Sequence, residues 1–181
     1  MTAHVAMFFW AGSVTICLLK AALSDIATRS IPNWVSLVVA ALALPIRLAD
    51  RTLLTGLGVV AAVFGLLTIA WMLRAIGGGD VKLWSACSLL APPGWAAQSA
   101  CSLRILLIGG LVAVIYLALR RLAGTPRHAA SGAGLLRRLA RVEIWRARRG
   151  GSIPYGVAIS LGVLFMLWPY PHVWSPGWTM P

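Results

Sequence analysis

The chain has 181 residues, of which 60% are hydrophobic and 11% are charged, and its mean hydropathy is +0.85. A soluble domain carries roughly a quarter charged residues, so this composition excludes an ordinary soluble protein and indicates an integral membrane protein. The net charge of +12 does not indicate nucleic-acid binding, because nine of the fourteen arginines lie between Arg120 and Arg149, in one segment flanked by apolar stretches.

Six apolar segments, each near the length of a transmembrane helix, follow one another along the chain. They cover residues 3–23, 32–49, 53–73, 81–98, 102–119 and 153–169. The fourth is the weakest, because Lys82 lies at its start and residues 92–94 (Pro-Pro-Gly) interrupt its end. We therefore expect an all-α polytopic membrane protein with about six transmembrane helices, in a single domain over residues 1–181.

The distribution of basic residues predicts the orientation of these helices. The connections at 20–33, 74–82 and 120–152 hold thirteen Lys and Arg residues, whereas the opposite side has only Arg47, Arg51 and Arg104. Because connections rich in Lys and Arg stay in the cytoplasm, this count predicts an N-out, C-out topology. The first segment has no basic residue before Lys20, so we expect an uncleaved helix rather than a signal peptide.

The basic segment at 120–152 is predicted to be a cytoplasmic loop. Apolar residues alternate with arginines from Leu135 to Arg149, which fits an amphipathic helix on the membrane surface and fits a solvated loop nearly as well. The three cysteines lie singly in apolar stretches and form no CxxC pair, so we expect buried small side chains and no metal site.

The four carboxylates are the strongest functional signal. Asp50 lies between two arginines and Glu143 lies among several, so ordinary ion pairs explain both. Asp25 and Asp80 remain, and two predicted spans separate them, which places both at the same membrane boundary. An acid beside a span is costly and is a functional candidate by default.

Two carboxylates that share a site cannot both ionise cheaply, so a proton is held between them. The ionised member can then activate a water molecule while the protonated member polarises a carbonyl group. The alternatives that need no catalysis are a helix-end carboxylate in water for Asp25 and an N-cap of the fourth span for Asp80. No histidine forms a visible nucleophile–base set with a serine or cysteine.

Three stretches resemble the motifs of type IV prepilin peptidases, the membrane aspartic proteases of the GxGD class. They are residues 25–33 (Asp-Ile-Ala-Thr-Arg-Ser-Ile-Pro-Asn), 77–83 (Gly-Gly-Gly-Asp-Val-Lys-Leu) and 153–159 (Ile-Pro-Tyr-Gly-Val-Ala-Ile). The resemblance implies that Asp25 and Asp80 are catalytic, without a metal or cofactor. It also implies that the substrate is the basic leader of a prepilin or pseudopilin, cleaved at the cytoplasmic membrane face.

The same motifs supply candidate supporting residues. Their members are Arg29, Pro32, Asn33, Gly77, Gly79, Lys82, Pro154, Tyr155 and Gly156. Arg29 and Lys82 fit two roles equally, as groups that hold the substrate or balance the dyad and as inner-face anchors. We expect Pro32 in the first turn of the second span with Ser30 as a possible cap, and the glycines to admit a substrate strand.

The chain departs from the bifunctional prepilin peptidases in having no CxxC motif. It resembles the small peptidase-only branch that serves tight-adherence (Flp-type) pili, so methyltransferase activity is not expected. Two other functions stay open. One is a proton- or ion-coupled transporter that uses the same carboxylates, and the other is a scaffold that binds partners through the Arg120–Arg149 loop.

Overall fold

The computed structural model describes residues 2–122, 143–146 and 153–167, and its regular elements in these ranges are helices. The long helices are α1 (Thr2–Thr28), α2 (Asn33–Ala49), α3 (Leu53–Met72), α4 (Gly78–Leu90), α5 (Trp95–Leu122) and α6 (Tyr155–Leu167). Residues 143–146 form one helical turn. The predicted all-α class is confirmed over the described residues.

Among the described residues, three helices are long and apolar enough to cross a membrane. These are the stretches Phe8–Thr28 of α1, Leu53–Met72 of α3 and Trp95–Leu119 of α5. α2 and α6 are also apolar, but they have only 17 and 13 residues. The structure therefore supports a membrane protein, while the count of six spans and their orientation stay predictions.

The first helix is longer than predicted, and this changes the setting of Asp25. α1 continues to Thr28 instead of ending near residue 23, so Asp25 lies in its last turn rather than after it. The helix stops where Arg29 adopts a left-handed backbone with φ 56°. Pro32 then keeps Ile31 away from helical backbone angles, so the chain turns before α2 begins.

The predicted fourth span, 81–98, is wrong in extent. α4 ends at Leu90 and Ala91 is extended, because Pro92 and Pro93 cannot continue a helix. The following residues join α5, which begins at Trp95 rather than at 102. At 1.5 Å per residue α4 is about 20 Å long, shorter than the ~30 Å hydrocarbon core.

α4 lies at the centre of the fold. Val81 and every residue from Leu83 to Leu90 are buried, and the helix packs against α2, α3 and α6. Around it, α6 also packs against α1 and α5, and α1 packs against α2. A helix that is covered on all sides in this way provides a fixed support for the residues at its first turn.

The buried end of α4 depends on Arg47 of α2, which is only 3% exposed. Its guanidinium donates hydrogen bonds to the carbonyl oxygens of Leu89, Leu90 and Ala91 at 2.8–2.9 Å. The last carbonyls of a helix lack partners within the helix, so these bonds satisfy them. Asp50 was predicted to pair with one of its flanking arginines, but the Arg47 guanidinium is directed towards α4 and no ion pair of Asp50 is found among the described residues.

Candidate active site

Asp25 is held where the end of α1 meets the start of α6. Its side chain is buried, with 6% of the residue exposed, and its Oδ2 accepts the Gly156 N–H at 2.7 Å. Gly156 has no room for a side chain, since a Cβ there would lie 2.9 Å from this oxygen. Asp25 is thus neither in open water nor at a free helix end, and the expectation of a solvated carboxylate is wrong.

Asp80 lies in the first turn of α4, and it is not the N-cap. Gly77 occupies the N-cap position, and the Oδ2 of Asp80 accepts the Gly77 N–H at 3.3 Å. An acid at this position satisfies an unpaired backbone donor and interacts favourably with the helix dipole. A Cβ on Gly77 would come within 2.9 Å of the same oxygen.

Ile31 connects the surroundings of the two acids. Its Cβ lies 3.4 Å from the position that a Cβ on Gly79 would take, and its Cδ1 lies 2.9 Å from the corresponding position on Gly156. Gly79 precedes Asp80, and Gly156 binds Asp25. Ile31 therefore fills the space beside Gly79, and this space is not open to a passing substrate strand as the sequence suggested.

Lys82 and Asn33 bridge the first and second motifs. The Nζ of Lys82 donates a hydrogen bond to the Oδ1 of Asn33 at 2.9 Å, and both residues are exposed. Pro32 is the N-cap of α2 rather than part of its first turn, and it makes no side-chain cap bond. Ser30 does not cap this helix, since its hydroxyl contacts the hydroxyl of Thr28 at 3.0 Å.

Arg29 is engaged by protein groups beside Asp25. It donates to the Tyr116 hydroxyl at 2.9 Å, forms an ion pair with Glu143, and lies over the Tyr116 ring at 5.5 Å. Its Nη1 is buried and has no partner among the described residues. Tyr116 also donates to Glu143, so the three side chains form one cluster.

The third motif forms one side of the site. Pro154 is buried, and the Tyr155 ring stacks on Trp84 of α4 at 6.1 Å between centroids. Gly109 of α5 leaves room for this ring, since a Cβ there would lie 2.7 Å from it. Trp84 and Tyr155 also line an apolar cavity of about 440 Å³, together with side chains of α3 and α5.

The electrostatic setting of Asp80 favours its protonated form. Burial, and secondly the nearby charge of Asp25, raise the pKa of Asp80 to about 6, although the hydrogen bond from Gly77 acts in the opposite direction. Asp80 lies outside the three helices that are long enough to cross a membrane. The effect of Asp25 on Asp80 is the electrostatic behaviour expected of two acids in one site.

Four residues around the site were not singled out from the sequence. These are Ile31, Trp84, Tyr116 and Arg146. Ile31 lies inside the first motif, and the signal that could have identified it is its position as an apolar residue between a polar turn and a proline. The other three carry no local signal, because only the packing of α4, α5 and the 143–146 turn brings them to the site.

Some predictions fall outside the part of the chain that the structure describes. They concern most of the basic segment at 120–152, including the amphipathic stretch from Leu135. Within the described ranges no group of three or more His, Cys, Asp or Glu residues is placed to hold a metal ion. The cysteines are free there, with Cys87 and Cys101 buried and Cys17 half-buried.

Comparison with known protein families gives a match over much of the chain. The model of the type IV leader peptidase family matches residues 13–118, which include Asp25 and Asp80 and cover more than half of the chain. No curated protein and no solved structure matches significantly. On the family match, this chain belongs to the type IV leader peptidase family.

Proposed function

We propose that the protein is a membrane aspartic endopeptidase that removes the basic leader of Flp-type prepilins or pseudopilins. In this proposal Asp25 and Asp80 are the catalytic pair, and cleavage takes place at the cytoplasmic face of the bacterial inner membrane. Family membership supports the substrate class, and it does not favour a transporter that uses the same acids. The proposal includes no methyl transfer.

One observation carries the assignment of the two acids. They come from different helices, and a single residue, Ile31, packs against both glycines that adjoin them. Each carboxylate is also held by a backbone N–H, from Gly156 and from Gly77. A fixed pair of acids is what hydrolysis by a carboxylate dyad requires, since catalysis depends on groups held in position.

The proposed roles give the shared proton to Asp80. In the substrate complex Asp80 holds this proton and donates a hydrogen bond to the scissile carbonyl oxygen, and its pKa, raised to about 6, supports this role. Asp25 is the ionised member and takes a proton from the attacking water, whose oxygen bonds to the carbonyl carbon. The C–N bond then breaks, and the proton passes to the departing amine.

The test is cleavage of a co-expressed prepilin in membranes. We expect Asp25→Asn and Asp80→Asn each to abolish cleavage while the protein still accumulates in the membrane. Asp50→Asn is the matched control, because it removes an equal charge from an exposed acid and should leave cleavage unchanged. Cleavage by both dyad variants at the normal rate would show that the assignment is wrong.

A further inference from the structure

The turn at residues 143–146 is attached to the end of α1, the helix that carries Asp25. Arg146 donates hydrogen bonds to the carbonyl oxygens of Ile26 and Ala27, at 2.5 and 2.9 Å. The last turn of α1 contains no basic residue of its own. A guanidinium that reaches these carbonyls from outside the helix satisfies unpaired acceptors and interacts favourably with the negative end of the dipole.

Glu143 binds three parts of the molecule at the same point. It accepts hydrogen bonds from Arg29 after α1, from Tyr116 on α5 and from Arg146 in its own turn. The Glu143 side chain is only 17% exposed, and that of Arg29 is 16% exposed. Ion pairs that are shielded from water and share several hydrogen bonds hold geometry better than exposed pairs do.

Arg29 transmits this attachment to the site. Its backbone has φ 56°, a conformation that is unfavourable for a non-glycine residue and persists only where the surroundings hold it. Its N–H donates to the Asp25 carbonyl at 2.9 Å. Two residues later comes Ile31, which packs between the glycines beside the acids. The backbone conformation of Arg29 therefore bears on the positions of both Asp25 and Ile31.

We infer that Glu143, with Arg146, is a positioning residue that fixes the end of α1 and thereby the placement of the Asp25 carboxylate relative to Asp80. This inference rests on the proposed function for its effect on activity. In this inference the 143–146 turn holds the end of a helix, which is a different role from fixing membrane topology or contacting lipid. The turn makes no hydrogen bond to either acid.

The experiment compares Glu143→Gln with Asp50→Asn, which removes the same charge from an exposed acid. In purified protein with a prepilin substrate, Glu143→Gln should lower kcat by roughly 10-fold to 100-fold, the range expected for a small displacement of a catalytic group, with KM changed less than about 2-fold. Asp50→Asn should change neither. An unchanged kcat, or a loss confined to KM, overturns the inference.

A variant pair tests whether Glu143 acts through Arg29. If it does, the double variant Arg29→Met/Glu143→Gln should be no less active than the less active of the two single variants, because both substitutions remove the same contact. Losses that multiply would mean independent roles and would overturn the inference. Arg146→Met should also lower kcat, whereas Arg121→Met, at an exposed basic residue, should not.

Hydrogen exchange separates this inference from the proposed function. In Glu143→Gln, the peptide covering residues 23–31 should exchange faster, while a peptide from the start of α4 should not. If the unmodified protein cleaves no prepilin, the proposed function fails, and this measurement still decides whether Glu143 holds the end of α1. Exchange identical to that of the unmodified protein overturns the inference in either case.

Discussion

Glycine is required at the site because the two acids and their neighbours leave no space for a side chain. A Cβ on Gly156 would lie 2.9 Å from both Asp25 Oδ2 and Ile31 Cδ1. We expect Gly156→Ala to push Asp25 out of place and lower prepilin cleavage about 10-fold or more. Gly110→Ala is the control, since nothing beyond its chain neighbours and the nearby backbone of its own helix lies within 4 Å of the added methyl group. Equal activity of the two variants would contradict this account.

The raised pKa of Asp80 predicts how stability depends on pH. With its folded pKa near 6 and its ordinary value at 3.8, Asp80 binds more protons in the folded state, so its contribution to the free energy of unfolding falls as pH rises from about 4 to about 6. Asp80→Asn removes this cost. We expect the Tm of Asp80→Asn to exceed that of the unmodified protein at pH 7, and the excess to shrink towards pH 4.

The measurement is thermal unfolding of both proteins in detergent across this pH range. Asp50→Asn, at an exposed acid, serves as the control and should show a difference that stays small. A difference for Asp80→Asn that is constant between pH 4 and pH 7 would show that Asp80 titrates at its ordinary pKa.

Some residues of the site could be predicted from the sequence and others could not. Asp25 and Asp80 were identified because acids are rare in an apolar chain and two predicted spans separate them, whereas the motifs around them were identified by their resemblance to a known family. The partners Tyr116 and Arg146 were not, because nothing in their local sequence distinguishes them from other residues of α5 or of the basic segment. Their position depends on long-range packing, which periodicity does not report.

At the scale of the helices, the apolar stretches predicted the bounds of α2 and α3 almost to the residue. They mispredicted helix ends where an apolar stretch and the helix itself do not stop at the same residue. α1 continues past its apolar stretch because nothing between Leu23 and Thr28 breaks a helix. α4 ends early because two prolines follow it, although the apolar residues continue. Hydropathy therefore located the helices, whereas the presence or absence of helix-breaking residues decided where α1 and α4 end.

The short α4 makes Arg47 a structural residue, and this can be measured. Arg47→Met should lower the free energy of unfolding by about 3 kcal/mol, because three carbonyls at the end of α4 lose a charged donor. Arg51→Met is matched in charge and chain region, but Arg51 is exposed, so it should change stability little. Unfolding in mixed micelles measures both, and equal effects would contradict the capping role.

For the whole molecule, the end of α1, which carries Asp25, and the start of α4, which carries Asp80, lie together, since Ile31 contacts Gly79 and Lys82 reaches Asn33. Which membrane face the two acids occupy stays a prediction of the charge count.

Arg51 and Arg74 test this prediction as a matched pair: they flank α3, both are exposed, and both have left-handed backbones, with φ 54° and 60°. Substitution at either position therefore meets the same backbone constraint.

In a protein whose three cysteines are replaced by alanine, Arg51→Cys and Arg74→Cys each carry one thiol for a membrane-impermeant maleimide. Because connections rich in Lys and Arg stay in the cytoplasm, we expect Arg51→Cys to react in intact spheroplasts and Arg74→Cys only after lysis. The reverse pattern would place the acids on the outer face and contradict cleavage from the cytoplasm. Equal reaction of both would mean that α3 does not cross the membrane, although its 20 residues are long enough to do so.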